Sequence, residues 1–338
     1  MVSPENPVLP PTQDIRPPHS CALTSAQLTD LLERVSRTFA LSNWLLPRRF
    51  RIPMTIAYLV FRVSDYLEDN VLLGPGQKAH LLRLWTGVLA GQERLEELES
   101  ALVHLPVADS EAEVASRFPQ ILQSLSRLPA EISQAIRDGA CETTRGMEIW
   151  QRRGPMVQTE SDMDEYMHYV AGVVGLMITD VFGKVSVSIG VRQRWLRPLA
   201  CQYGLGLQTV NIIRGLRKDH ERGWTYVPTA FCDAVGIVPD ELFEPRAIAQ
   251  SLRVLKRLVA KAERHLGSGL AYIEKLPRSL HRVRVATMWP LMFAARTLAV
   301  ARENPDAFLS EAKMTRRDVK RIVRHTAAMG WSNIWVRW

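Results

Sequence analysis

Apolar residues recur at three- and four-residue steps along nearly the whole chain, and no alternating pattern of useful length interrupts them, so the sequence predicts helices throughout. Leu28, Leu31, Leu32, Val35 and Phe39 share one face of a helix over 24–39, with Thr24 and Gln27 spaced as a capping box. Pro47 and Pro53 mark a turn region over 43–53, and an apolar helix follows it to about Asp69. Further helices are expected over 75–89, 111–128, 129–150, 163–183, 195–220, 245–276, 278–302 and 315–328. A short acidic helical piece, GQERLEELES, starts at Gly91, and Pro-containing loops occupy the gaps. No internal repeat of fixed period is present, and the pattern describes an all-α fold with one core over 21–338.

Composition narrows the picture. With 338 residues and 46% apolar content the chain can bury a sizeable core. The first twenty residues are Pro-rich, lack the basic and apolar regions of a signal peptide, and are expected to be a disordered tail. Tyr169–Phe182 is too short for a membrane span and contains Asp180, while Val285–Ala301 is broken by Pro290 and Arg296, so both read as core helices. Cys21, Cys141, Cys201 and Cys232 lie far apart, which indicates neither a zinc site nor a disulfide framework. A reducing, cytoplasmic setting is the default. The net charge of +8 favours anionic partners, yet no basic run is interleaved with aromatics as in nucleic-acid binders. Phosphorylated small molecules fit at least as well, and peripheral contact with a membrane stays open.

One stretch carries most of the chemistry. In FRVSDYLEDN, Asp65 and Asp69 lie one helical turn apart with Glu68 beside them and Arg62 a turn earlier. Stacked carboxylates repel, and hard oxygen ligands of this kind suit Mg²⁺, which completes its shell with water and substrate phosphate. A solvated acidic helix face is the alternative. The apolar run IAYLVFRV just before the acids favours a buried helix, where unpaired charge is expensive. Further on, Gln208, Asn211, Gly215 and Asp219 line one face of the helix over 195–220. That face is either a second cation wall opposite the first, enclosing a diphosphate, or an ordinary hydrogen-bonded polar surface.

Four motifs stand in order: SRTF at 36–39, FRVSDYLED at 61–69, MDEYMHYVAGVVG at 163–175 and GLGLQTVNIIR at 204–214. On these motifs the chain resembles the squalene/phytoene synthase family over roughly 28–328, and HYVAGVVG is most similar to its squalene synthase branch. The resemblance implies an all-α isoprenoid-synthase fold with a central cavity. It implies that two farnesyl diphosphates are joined head-to-head through presqualene diphosphate and then reduced by NADPH to squalene, with Mg²⁺ assisting loss of diphosphate. Matched position by position, it gives Asp65 and Asp69 as metal ligands and Asn211 and Asp219 as polar positions of the second metal motif; Glu68 joins them from its place on the helix face. Ser36, Arg37, Arg62 and Arg214 match diphosphate contacts, and Gln208, Arg217 and Lys218 on the second wall are further candidates from their positions on that helix. Tyr169, with its neighbour Tyr166, becomes the tyrosine that assists proton loss and steadies the cation, alongside the apolar wall of Phe39, Val170 and Leu207. Lys313 and Arg316 resemble a basic motif near the nicotinamide cofactor. Gly204 and Gly206 stand in a helical context and make no dinucleotide-binding loop.

The second motif departs from the family pattern, which continues from NIIR into D-x-x-E-D. Here Gly215 replaces the first acid and Lys218 the second, leaving Asp219. The change removes one ligand and moves the local charge by two units at Lys218, so Mg²⁺ should bind more weakly there while diphosphate is attracted directly. Arg217, Lys218 and Arg222 are the cations expected to substitute for the lost metal contact. Other outcomes within the family are presqualene diphosphate, hydroxysqualene, phytoene or transfer to a different acceptor. A non-catalytic isoprenoid-diphosphate-binding protein is the reading from another class.

Overall fold

Thr24 caps helix α1 (Ser25–Val35) as its sequence predicts, exchanging hydrogen bonds with Gln27 through both side chains and both amides. The helix stops at Ser36 instead of reaching Phe39. Ser36 takes extended backbone and its hydroxyl accepts the Phe39 amide at 3.3 Å, so it caps a second helix, α2 (Arg37–Leu45). The expected turn over 43–53 is therefore mostly helical: Pro47 closes α2, α3 (Arg48–Asp69) begins at the next residue, and Pro53 lies inside it near its start. The computed structural model describes residues 21–93, 95–310, 314–330, 332 and 333, so the expected tail over 1–20 lies outside the described residues.

Past α3 come α4 (Pro75–Ala90), α5 (Leu95–Leu102), α6 (Ser110–Ser116), α7 (Phe118–Ser126) and α8 (Ala130–Arg153). The single helix expected over 111–128 is thus two, parted at Arg117 just ahead of Pro119. Helix α9 (Glu160–Met167) runs through a π turn (His168–Gly172) into α10 (Val173–Val185). Together they make one helical run of 26 residues, longer than the sequence suggests and, by length and composition, able to cross a bilayer. In the fold it is wedged between α8 and the helix α12, and 44% of its apolar window is buried in protein. The chain closes with α11 (Val187–Gly190), α12 (Gln193–Glu221), α13 (Thr229–Asp233), α14 (Ile248–Lys275), α15 (His281–Ala301), α16 (Asp306–Leu309) and α17 (Arg316–Met329). Among the described residues no strand forms, only an isolated bridge between Met156 and Thr225.

Helix α12 is the axis of the bundle, flanked by α10, α14 and α15, while α3, α4 and α8 form the opposite half. Fully buried side chains such as Trp85, Trp150, Phe50 and Phe118 fill the space between, each contributing about 1.5–3 kcal/mol by leaving water. Two points of contact fix the site. Ser64 sits one residue before Asp65, and its hydroxyl meets Thr144 at 2.8 Å and the Trp85 indole at 3.0 Å, tying α3 to α8 and α4. At the other seam, the π-turn helix and α12 touch backbone to backbone. A Cβ on Gly175 would lie 2.3 Å from the Ala200 carbonyl oxygen, and one on Gly204 2.3 Å from that of Ala171. This close approach explains the glycines of both motifs without any phosphate-binding role.

Candidate active site

Between α2, α10, α12, α14 and α15 lies a cavity of about 310 Å³, at the small end of the ligand-site range. Phe39, Val170, Ile178, Phe182 and Leu207 give it an apolar wall, and Gln208 and Asn211 stand at its polar end. The hydroxyls in the wall are occupied: Tyr203 donates to the Thr287 carbonyl at 2.9 Å, and Tyr272 meets Thr179 at 3.1 Å. To an incoming chain the interior is thus largely apolar, with the Oδ1 of buried Asn43 as an acceptor that no described residue satisfies.

The C-terminal end of α3 brings its three carboxylates together in partial burial. Glu68 is 8% exposed, and its Oε1 has no hydrogen-bond partner among the described residues. Burial pushes Asp65 up to about 6 against the pull of Arg62. Burial, with Asp69 and Asp65 adding repulsion, pushes Glu68 up to about 8. The cluster therefore stores unfavourable charge that a cation relieves. Arg62 relieves part of it, pairing with Asp65 at 3.4 Å and Glu111 of α6 at 3.2 Å while lying over the Tyr58 ring.

Opposite stands the end of α12. Gly223 takes a left-handed turn (φ 78°), its amide bonds to the His220 carbonyl at 2.9 Å, and the Trp224 amide bonds to the Asp219 carbonyl at 2.9 Å. These two bonds close the helix in a Schellman motif and fix Arg222 as its C-cap. From there Arg222 donates to Asp69 at 3.1 Å and to Asp219 at 3.1 Å, bridging the two walls. Lys78 of α4 adds a second positive charge near Glu68 and Asp69, and its partial burial lowers its pKa. Below the carboxylates runs an aromatic column. Tyr166 and Tyr226 stack at 4.6 Å, Trp150 meets Tyr166 edge-on at 5.6 Å, and Trp224 lies 5.7 Å from Tyr226. Burial, followed by the charge of Glu68, holds both tyrosine hydroxyls well above their usual range, so they remain protonated donors.

The residues singled out from sequence fall into distinct groups. Asp65, Glu68, Asp69 and Asp219 gather around Arg222 where the end of α3 meets the end of α12. Gln208 and Asn211 meet at 3.3 Å on α12. Arg214 and Lys218 are exposed on the same helix and make no ion pair among the described residues, so both are free to meet an anion. Arg217 is turned away into a pair with Glu221 at 2.8 Å, which leaves Arg222 as the cation that spans the gap. Ser36 spends its hydroxyl on capping α2. Tyr166 joins the aromatic column, whereas Tyr169 packs against α8 beside Gly146, its carbonyl accepting from Thr143 at 2.8 Å. Its neighbours Val170 and Ala171 are the ones that line the cavity. Arg316 is exposed on α17, which packs on a face of α15 next to the one lining the cavity. The side chain of Arg37 and all of Lys313 lie outside the described residues. Sequence reasoning missed Lys78, Glu111 and Tyr226, and only the spacing of Trp224 and Tyr226 before Pro228 offered any signal.

Among the described residues no three His, Cys, Asp or Glu side chains converge at metal-ligand spacing. The donor set, with its orphaned Glu68 oxygen, instead fits a hard ion such as Mg²⁺ that takes one or two carboxylates and fills its shell from water and phosphate. Of the two residues expected near a nicotinamide cofactor, Arg316 lies exposed on α17, whose outer side also carries Arg317, Lys320, Arg321 and Arg324.

An all-α bundle that holds an apolar cavity, with an acidic and basic cluster further along the helix that lines it, is the architecture of isoprenoid synthases, and similar proteins share it. Residues 32–319 match the squalene/phytoene synthase profile, and the chain belongs to that family of prenyltransferases. It is 26% identical over 305 residues to squalene synthase of Schizosaccharomyces pombe, an alignment covering 88% of this chain and 64% of that enzyme. It is 27% identical over 246 residues to 15-cis-phytoene synthase of Enterobacter agglomerans, covering 73% and 76%. A ligand complex of TcSQS superposes with a TM-score of 0.76 at 26% identity over 88% of this chain and 85% of the other. A dehydrosqualene synthase shares the fold, with a TM-score of 0.65 at 19% identity over 90% and 95%.

Proposed function

We propose that the protein joins two farnesyl diphosphates head-to-head through presqualene diphosphate and carries the product on to squalene. The observation that carries this reading is the course of α12, which lines the apolar cavity at Leu207, Gln208 and Asn211 and two turns later brings Asp219 and Arg222 to the carboxylates of α3. Arg214 and Lys218 would gather the diphosphates, and Arg222 and Lys78 would compensate charge as the allylic C–O bond ionises. Mg²⁺ held by Asp65, Glu68, Asp69 and Asn211 would neutralise the leaving diphosphate. The carbocation needs a dry wall, and Phe39, Val170 and Leu207 supply one that excludes water. Tyr166 and Tyr226, held protonated, would place hydroxyl dipoles beside Glu68 and Asp69. Reduction by NADPH rests on family kinship, since no step can be placed at a cofactor site in the described residues.

The test is product analysis. Purified protein with farnesyl diphosphate and Mg²⁺ should give squalene with NADPH, and presqualene diphosphate or derived alcohols without it. A C40 product from geranylgeranyl diphosphate, with none from farnesyl diphosphate, would move the assignment to the phytoene branch. No product from either donor would leave diphosphate binding alone.

A further inference from the structure

Helix α2 has two unlike faces. Phe39, Ser42, Asn43 and Leu46 line the cavity, while on the outside Leu41 is 37% and Trp44 63% exposed. One exposed apolar side chain needs no explanation, but this pair is surrounded by arginines, against which stands one acid, Glu33 of α1, in the groove it shares with Trp44, Arg48 and Arg51. Arg48 and Arg49 follow at the exposed start of α3, Arg51 donates to the Trp44 carbonyl at 3.3 Å, and Arg282 donates to that of Leu45 at 2.7 Å. Acids are otherwise missing from this side of the sequence: residues 34–64 and 276–302 hold Arg throughout and neither Asp nor Glu.

Leu45 joins this face to α17. It packs with Met314, Val319, Ile322 and Val323 against Val285, Trp289 and Phe293 of α15. The outer side of α17 exposes Arg316, Arg317, Lys320, Arg321 and Arg324, and its one acid, Asp318, is neutralised by Arg296 at 3.0 Å. The modest net charge of the whole chain thus hides a strongly basic end balanced by acidic surface elsewhere.

We propose that the outer face of α2, the start of α3 and the exposed side of α17 form one docking surface for an anionic lipid bilayer. Guanidinium groups meet lipid phosphates and acidic headgroups, and Trp44 and Leu41 enter the interfacial layer where indoles settle. A nucleic acid would leave Leu41 and Trp44 without a use on these convex helices, whereas a bilayer uses both the charge and the apolar pair. The placement also has a purpose. Only the thickness of α2 separates this face from the cavity, so an isoprenoid chain can pass between bilayer and protein with little exposure to water.

Sedimentation with vesicles tests the proposal independently of which product the enzyme makes. The full chain should sediment with vesicles of phosphatidylcholine and phosphatidylglycerol mixed two to one, and stay in solution with phosphatidylcholine alone. Raising NaCl from about 0.1 to about 0.5 M should release it. Arg48→Glu with Arg49→Glu should weaken binding by roughly tenfold or more. Negative charge at the first turn of α3 favours the helix, so that loss cannot be assigned to unfolding. Trp44→Ser should abolish quenching of tryptophan emission by brominated lipid at the membrane surface. Equal binding to neutral vesicles, or binding unchanged in these variants, would overturn the proposal. So would tighter binding to duplex DNA than to the charged vesicles, which would make the face a polyanion site.

Discussion

Arg222 and Asp69, 153 positions apart in the chain, stand 3.1 Å apart, and the same guanidinium reaches Asp219 at 3.1 Å. A side chain thus bridges the two walls that the family pattern would join through metal. Because Asp69 is half exposed, the lower end of the range for a charged hydrogen bond applies, about 1.5 kcal/mol. Arg222→Gln should therefore lower kcat/KM roughly tenfold and raise the Mg²⁺ concentration giving half-maximal rate. A rate and a metal requirement both equal to wild type would show the bridge to be incidental.

Restoring the family's acids tests the same point from the other side. A side chain at Gly215 begins 2.9 Å from the Asp219 carboxylate, so Gly215→Asp must push Asp219 out of its present place beside Arg222. Together with Lys218→Glu it should lower the half-saturating Mg²⁺ concentration and weaken diphosphate binding without metal. If titration calorimetry with pyrophosphate finds neither change, the cations of α12 do not stand in for the missing ligands.

Gly204→Ala probes the seam between α10 and α12. Its methyl would fall 2.3 Å from the Ala171 carbonyl oxygen, and rigid backbone cannot yield as a side chain can. A loss of about 1–3 kcal/mol is expected from overpacking, read as a lower midpoint in urea unfolding with unchanged slope.

Asp318 gives α17 a pH dependence of known sign. The Thr315 hydroxyl and amide hold its carboxyl down to about 2, with Arg296 assisting. A depressed pKa contributes stability that is complete above the unfolded value near 3.8 and lost as pH falls toward about 2. Protection of the α17 amides, taken relative to their intrinsic exchange rates at each pH, should fall over that window, and Asp318→Asn should give low protection that no longer changes across it.

Arg284 is fully buried and donates to the Ile273 carbonyl at 2.6 Å and the Leu276 carbonyl at 2.9 Å, closing the end of α14. Arg284→Met would leave those acceptors unsatisfied and should cost about 3 kcal/mol, measured by denaturant unfolding, with little change in KM.

The fold was legible because helical periodicity survives in every long element, and the acids of α3 were legible because three carboxylates on one turn need an explanation. The breaks were harder. Ser36 reads as one more residue of a helix until its hydroxyl is seen to cap the next one, and Pro53 looks like a terminator although it sits near a helix start, where one lost hydrogen bond is tolerable. The site divided along the same line. Asp65 and Asp69 are neighbours in sequence, so their relation is local. Arg222, Lys78 and Tyr226 join them only through tertiary folding, which no spacing rule can express. Tyr169 sits at a π turn, and a shift from four- to five-residue bonding leaves no mark in the hydrophobic pattern while redirecting the side chains that follow it.

The contact of Gly175 with Ala200 and of Gly204 with Ala171 makes α10 and α12 behave as a single rigid plate. That side of the cavity has no slack: it cannot recede for a longer isoprenoid or advance on a shorter one without parting two backbones. Backbone adjustment of the bore is therefore left to the opposite side, to α2 and α15. A change of chain-length preference in this lineage should then be recorded at Leu46, Ala286 and Pro290, leaving the glycine seam untouched.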